Sequence, residues 1–232
     1  GTYGSEQFTD WELRYTDDKG VIDWNNSIWT QSIKNKESLF GTNAEQADLD
    51  GDGAFGLDSS ALDSVSTDTT GDLLKKDDAN ALYIINDKGT SDDTSDDETI
   101  ALVDQWGGTP TFNWSDSGGS GDYAYSYSSS SYAVESFDDN GTEKFLLAVK
   151  KSDTFAGQTE TFWETFVIKE SSSGAGDWAL DWSSGTWSKN IGKKESVFGQ
   201  DIDGGGIYDA DSITTTAVST DTSTTDNTAV TL

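Results

Sequence analysis

The chain has 232 residues, a net charge of −29 from 43 acidic and 14 basic residues, and neither Cys nor His. This balance argues against nucleic acid and anionic lipid as partners, because both are bound by clusters of Lys and Arg. The missing Cys and His exclude thiolate or imidazole zinc sites and every catalytic triad that uses these residues. Aromatic residues make up 12% of the chain, which predicts folded β-rich modules rather than an acidic disordered chain.

Strands are predicted along most of the chain, where apolar and aromatic residues alternate between Gly, Asn, Asp and Ser. In chain order they cover 8–15, 81–85, 111–114, 123–127, 132–137, 144–150 and 162–169. Residues 138–141, Asp-Asp-Asn-Gly, predict a hairpin turn. Helices are predicted only at 33–40 and 191–198, each shortly before an Asp/Gly-rich loop. The predicted fold is therefore all-β, with two modules of antiparallel sheets and short helical turns that lead into these loops.

An internal repeat organises the chain. Segment 23–41 recurs at 181–199 with an offset of 158, and both copies contain two Trp residues and a Glu-Ser-x-Phe-Gly string. Five extra residues then follow in the first copy, and an offset of 153 aligns 48–58 with 201–211. A fixed period of this kind predicts repeated structural units. We therefore expect an N-terminal half-module at 1–70, a complete module at 71–213 and an extended tail at 214–232.

The two Asp/Gly-rich loops at 48–58 and 201–211 have the composition of calcium sites. Carboxylates alternate with glycines, as they must in a loop that wraps a hard cation such as Ca²⁺. The first loop begins like an EF-hand but has Ser59 rather than Glu at position twelve, which predicts weak affinity, in the range of extracellular modules. The candidate ligands are Asp48, Asp50, Asp52, Ala54 (through its carbonyl) and Asp58, and in the second loop Asp201, Asp203, Ile207, Asp209 and Asp211.

The alternative for these loops is an acidic surface turn that binds nothing. Two copies in repeat register favour calcium over that alternative. No apolar run approaches the length of a membrane-spanning helix. Catalysis has little support, because 43 acidic residues make any pair of carboxylates uninformative and none is marked by apolar surroundings. We predict that the chain is not an enzyme.

The aromatic residues have two interpretations. Seven of them are candidates to fill thin sheet cores: Trp11, Trp24, Trp29, Trp163, Trp178, Trp182 and Trp187. Trp24 and Trp29 recur as Trp182 and Trp187 beside the loops, which favours this core role. Other aromatics are candidates for an exposed platform that stacks on sugar rings. This candidate glycan platform comprises Trp106, Trp114, Tyr123, Tyr125 and Tyr127. The three Tyr residues alternate with smaller residues, which predicts that they share one face of a strand.

Segment 195–204, Glu-Ser-Val-Phe-Gly-Gln-Asp-Ile-Asp-Gly, resembles a tryptophan-rich repeat at the C-termini of large cyanobacterial secreted proteins. Members of that family carry Glu-x-x-Phe and then a Gln-Asp-x-Asn/Asp-Gly-Asp-Gly run after a strand that contains Trp. Both copies fit this pattern, except that Gly205 replaces the third acidic position. The resemblance implies an extracellular, calcium-bound repeat similar to calcium-binding surface and hemolysin-type proteins.

The frame of the repeat suggests a function. Residues 1–70 lack the opening strands of their module, whereas 227–232 resemble 80–85, which opens the complete module. We expect a structural subunit of a calcium-stabilised extracellular filament, surface array or adhesin, in which Ala229, Val230 and Leu232 add a strand to the next copy. The alternatives are a calcium-dependent carbohydrate-binding module for cell-surface or matrix glycans, and a spacer in a longer protein. Neither nucleic acid nor membrane insertion is expected.

Overall fold

β-Strands dominate the computed structural model, and the predicted all-β class is confirmed. The structure describes residues 2–3, 6–7, 10–30, 32–40, 48–65, 67–69, 71–90, 93–171 and 178–205. The strands in these ranges are β1 Thr2–Tyr3, β2 Glu6–Gln7, β3 Trp11–Thr16, β4 Ile22–Thr30, β5 Asp63–Ser64, β6 Leu73–Lys76, β7 Leu82–Asn86, β8 Glu98–Val103, β9 Trp114–Gly118, β10 Tyr125–Asp138, β11 Glu143–Phe155, β12 Gln158–Glu170 and β13 Trp178–Ser188.

Helical structure is brief. The 3-10 helices η1 Lys34–Leu39, η2 Ser59–Ala61 and η3 Gly121–Tyr123 precede the α-helix α1, Gly192–Phe198. The two predicted helical turns are therefore confirmed, the first as a 3-10 helix and the second as an α-helix. Within the described ranges, no helix combines the length and the apolar character needed to cross a membrane.

The main sheet of the described residues has nine strands in the order β5-β6-β7-β8-β13-β12-β11-β10-β9. Its strands pair antiparallel except for β8 and β13, which run parallel where Leu102 faces Trp178. The expected antiparallel sheet thus contains one parallel join. β5 lies before residue 70 and β6 after it, yet they pair with each other, and the boundary expected at residue 70 stays a prediction.

The predicted hairpin turn connects β10 to β11. Asp139 and Thr142 exchange backbone hydrogen bonds, while Asn140 and Gly141 have φ values of +57° and +85°. These left-handed conformations are those that an Asn-Gly turn supplies most easily. The strands predicted at 123–127 and 132–137 form one long strand, β10, whose register shifts at a bulge between Ser131 and Ala133.

The centre of the sheet is buried on both faces. Along β11, Phe145 and Leu147 belong to one apolar cluster, whereas Leu146 and Ala148 belong to another. Successive side chains of a strand point to opposite faces, so this alternation means that β11 is covered on both sides. Helix α1 covers the second face through Phe198, which is fully buried.

The internal repeat is structural and extends further upstream than the sequence comparison reached. Trp163 pairs with Ser188, and Trp11 pairs in the same way with Thr30, the counterpart of Ser188 at the offset of 158. In both copies a Glu directly follows this Trp, Glu164 after Trp163 and Glu12 after Trp11. The hairpin β3–β4 is therefore the counterpart of β12–β13, and η1 is the counterpart of α1.

The first copy contacts the main sheet at its last strand and at η1. The hydroxyls of Thr30 and Thr109 are 2.7 Å apart, and the ammonium of Lys34 lies 3.2 Å from the carboxylate of Asp78. These polar contacts join the first copy to the β6–β7 turn and to the loop that follows β8.

Three carboxylates lie together where Asp68 and Asp72 meet β10; Asp68 and Asp72 are buried and Glu135 is half-buried. Asp68 accepts hydrogen bonds from the backbone N–H groups of Leu74 and Val134, and Asp72 accepts one from Ser136. Burial raises the pKa of Asp68 to about 7. Burial, reinforced by the neighbouring charge of Asp72, raises the pKa of Glu135 to about 8. The carboxylates that surround Glu135 are Asp68, Asp72 and Asp87.

We expect this cluster to make the chain more stable at pH 5 than at pH 8. Between the ordinary carboxyl pKa and these raised values the folded chain holds more protons than the unfolded chain, so the free energy of unfolding falls as pH rises. The expected difference is on the order of 2 kcal/mol. Urea unfolding across this range measures it. Glu135→Gln should flatten the profile, whereas the exposed control Glu170→Gln should not.

Candidate metal centre

The two acidic loops follow helices that begin in the same way. Ile33 and Ile191, the residues just before η1 and α1, are both 2% exposed and have nearly identical backbone angles. This shared anchor fixes the rotation of each helix. Glu37 and Glu195 consequently occupy the same position in each copy, and both side chains are buried.

Each buried Glu lies within a cluster of three carboxylates. In the first copy, oxygen atoms of Glu37, Asp48 and Asp50 lie within 4.8 Å of one another. In the second copy, oxygen atoms of Glu195, Asp201 and Asp203 do the same. Carboxylate oxygens are the ligands that hard divalent cations prefer, and three per site leave room for backbone carbonyls and water.

The Asp side chains shape the loop around the cluster. Asp48 accepts hydrogen bonds from the N–H groups of Gly51 and Gly53, at 2.8 Å and 3.0 Å. Asp201 likewise accepts one from Gly204, the counterpart of Gly51, at 2.8 Å. Gly53 has a φ of +87°, which fits the sharp turn that an EF-hand makes at its sixth position. The first loop therefore closes around the carboxylate of Asp48, and the cation that it would wrap stays a prediction.

Each Glu also ties its helix to the loop. Glu37 accepts hydrogen bonds from the N–H groups of Leu49 and Gly56, at 2.7 Å and 2.8 Å. One oxygen of Glu195 accepts from Ile202, the counterpart of Leu49, and from Asp203. Burial raises the pKa of Glu195, because the charged form loses its hydration. A bound cation would favour that charged form.

Several predicted ligands have other contacts. Asp52 accepts a hydrogen bond from Ala54 N–H and forms a 2.9 Å ion pair with Lys34. Asp58 caps η2, where its carboxylate accepts from both the N–H and the hydroxyl of Ser60. Neither Asp belongs to the three-carboxylate cluster. The other predicted ligands, Ile207, Asp209 and Asp211, lie outside the described residues.

Sequence reasoning assigned Glu37 and Glu195 to the Glu-x-x-Phe motif but not to the clusters of the acidic loops. The available signal was their recurrence three residues before Phe40 and Phe198. Their spacing to the first Asp of the loop differs between the copies, because the five extra residues lie between them. A search for a contiguous loop motif could not find a ligand from the preceding helix.

The tryptophans expected in sheet cores fall into two groups. Trp163 is buried and Trp178 packs against the main apolar cluster, as expected. Trp24 is 71% exposed and Trp187 is 61% exposed, and Trp29 and Trp182 are also exposed, which corrects the expectation for these four. Cations lie over two of the exposed rings, Arg14 over Trp24 at 4.7 Å and Lys151 over Trp187 at 4.3 Å.

The candidate glycan platform is partly assembled. Trp114 lies opposite Ser129 and Asp116 opposite Tyr127, so the strand alternation puts Trp114, Tyr125 and Tyr127 on one face. Tyr123 belongs to η3 rather than to the strand, which corrects the expected row of three Tyr residues. Trp106 is exposed in the turn after β8, outside this row.

The chain matches no family model, no curated protein and no solved structure. The resemblance to tryptophan-rich secreted repeats, the predicted ligands and the predicted Ca²⁺ therefore stay predictions, which rest on the geometry of the chain itself.

We expect Gly53→Ala to destabilise the first loop. A Cβ at Gly53 would meet no atom within 4 Å, so the cost is backbone strain at positive φ, about 1–2 kcal/mol. Urea unfolding measures this loss. Gly53→Asn is the matched control and should lose less, because Asn adopts left-handed conformations more readily than Ala. Equal losses for both variants would contradict this explanation.

Proposed function

We propose that the chain is a structural repeat of an extracellular filament, surface array or adhesin, stabilised by calcium and assembled from copies of itself. The repeated three-carboxylate clusters support the calcium part of the proposal. Both clusters follow the same hairpin and the same helical turn, so the ion would join elements of one repeat. A site of this kind stabilises a fold and serves no catalytic step.

Calcium should raise the melting temperature of the chain, and EDTA should lower it. An ion that binds only the folded chain stabilises it by about 2.7 kcal/mol at 100 times Kd, or roughly 5–10 °C for a chain of this size. Asp48→Ala should remove part of this gain, whereas Asp122→Ala, an exposed control in η3, should keep it. Identical melting curves with calcium and with EDTA would contradict a stabilising ion.

An apolar surface on the first copy carries the assembly part of the proposal. Ile22 is 40% exposed and Phe40 is 53% exposed, whereas their counterparts Leu180 and Phe198 are 1% and 0% exposed. The same two positions are therefore open in one copy and covered in the other. Leu180 and Phe198 belong to apolar clusters on opposite faces of the main sheet, so we term only the side of β4 that carries Ile22 the uncovered face.

The second copy indicates what covers such a face. Leu180 packs in one cluster with Leu82 and Ile84 of β7. The C-terminal segment 227–232 resembles 80–85, which includes the start of this strand. We therefore propose that the tail of one copy adds a strand to the uncovered face of the next, with Ala229, Val230 and Leu232 as its apolar residues. These three residues lie outside the described ranges.

Deletion of residues 224–232 should abolish assembly, and Ile22→Asp should do the same at the other end of the contact. Neither change alters a residue of the nine described strands of the main sheet, so the melting temperature should change little. Electron microscopy and sedimentation velocity measure assembly, and Tyr123→Asp is the control at an exposed aromatic outside the uncovered face. Undiminished polymers from the truncated chain would overturn the proposed strand addition.

A second candidate function is calcium-dependent glycan binding, favoured by the shared face of Trp114, Tyr125 and Tyr127. Phe155 lies opposite Tyr125 and is 58% exposed, which widens the aromatic surface. Flat exposed rings of this kind stack on sugars in carbohydrate-binding modules. A strictly monomeric chain that binds a glycan array in calcium, and loses binding in the Trp114→Ala variant, would favour this function over assembly.

A further inference from the structure

The two copies differ in the length of the connection between the buried Glu and the acidic loop. Asp201 follows Glu195 by six positions, whereas Asp48 follows Glu37 by eleven. Both glutamates nevertheless bring an oxygen within 4.8 Å of both loop carboxylates. The five extra residues of the first copy lengthen the connection between Glu37 and Asp48 but leave the three-carboxylate cluster unchanged. This is expected if both copies require all three carboxylates.

A second observation lies in the second copy. The Oε2 atom of Glu195 is buried and has no hydrogen-bond partner among the residues that the structure describes, although the Oε1 atom accepts two backbone N–H groups. A buried carboxylate oxygen without a partner is costly, because it has lost its hydration and gained nothing in return. A cation held with Asp201 and Asp203 would supply that missing interaction.

The third observation concerns Asp52, which occupies an EF-hand ligand position. Its carboxylate is paired with Lys34 at 2.9 Å. In the second copy the positions of Lys34 and Asp52 are occupied by Gly192 and Gly205, so the cation and the anion of this pair are absent together. The three remaining carboxylates, one Glu and two Asp, are the same in both copies.

We propose that each loop binds one hard divalent cation through two Asp residues and the buried Glu of the preceding helix, and that Asp52 is not a ligand. This assignment rests on the proposed calcium binding and specifies its chemistry. The sites are Glu37, Asp48 and Asp50 in the first copy and Glu195, Asp201 and Asp203 in the second. Lys34 acts as a positioning residue that keeps Asp52 away from the ion.

Calcium titration of the full chain by calorimetry tests the assignment. Wild type should bind two ions, whereas Glu195→Gln should lose one of them or weaken it by about tenfold or more. Asp52→Asn should keep both sites within a few-fold of wild type. If Glu195→Gln does not fold, Asp50→Asn at an exposed loop position should remove the site of the first copy.

Melting curves separate a ligand from a residue that only anchors the loop. Glu195→Gln removes repulsion from Asp201 and Asp203, so its melting temperature in EDTA should equal or exceed that of wild type, and in calcium it should fall below. A loss of equal size in both conditions would overturn the ligand role. Two retained sites in Glu195→Gln, or a site lost in Asp52→Asn, would overturn this assignment alone. No binding of calcium, magnesium or manganese by wild type would overturn the proposed calcium binding as well.

Discussion

The structure of each repeat depends on one buried carboxylate that joins a short helix to an acidic loop. Glu37 and Glu195 accept hydrogen bonds from backbone N–H groups of their loops, those of Leu49 and Ile202. The helix is itself fixed by a buried Ile at its start. The loop, whose own Asp residues bind mostly to its own backbone, thereby takes its position from the hairpin and sheet beneath the helix. An ion bound there would add to a connection that already exists.

Much of the architecture could be predicted from the sequence because local patterns determine it. The Asn-Gly turn, the two helical turns and the wrapping of the acidic loops all follow from nearby residues. The sheet order could not be predicted in this way. The parallel join of β8 to β13 pairs residues far apart in sequence, and no local pattern marks Leu102 as the neighbour of Trp178.

The candidate site could be predicted only in part, because a local motif marks its Asp residues but not its Glu residues. Asp48 and Asp50, with Asp201 and Asp203, follow from the loop motif. Their Glu partners come from a different element, and Asp52, which lies outside the cluster, pairs with Lys34, a residue that no loop motif includes. The exposed tryptophans show another limit. Trp is a residue type that often fills a core, yet Trp24 and Trp187 lie at the surface with the cations of Arg14 and Lys151 over their rings.

The parallel join also determines the order in which the sheet can form. The β7–β8 hairpin and the β10–β12 meander each consist of strands adjacent in sequence, but β13 alone connects them within the described sheet. Contacts between distant residues form late, because closing a long loop costs entropy before any contact repays it. The strand pairing that connects β8 to β12 therefore has to wait for β13. In the second copy, β13, the repeated strand that contains two Trp residues, is thus the strand that joins the two parts of the sheet.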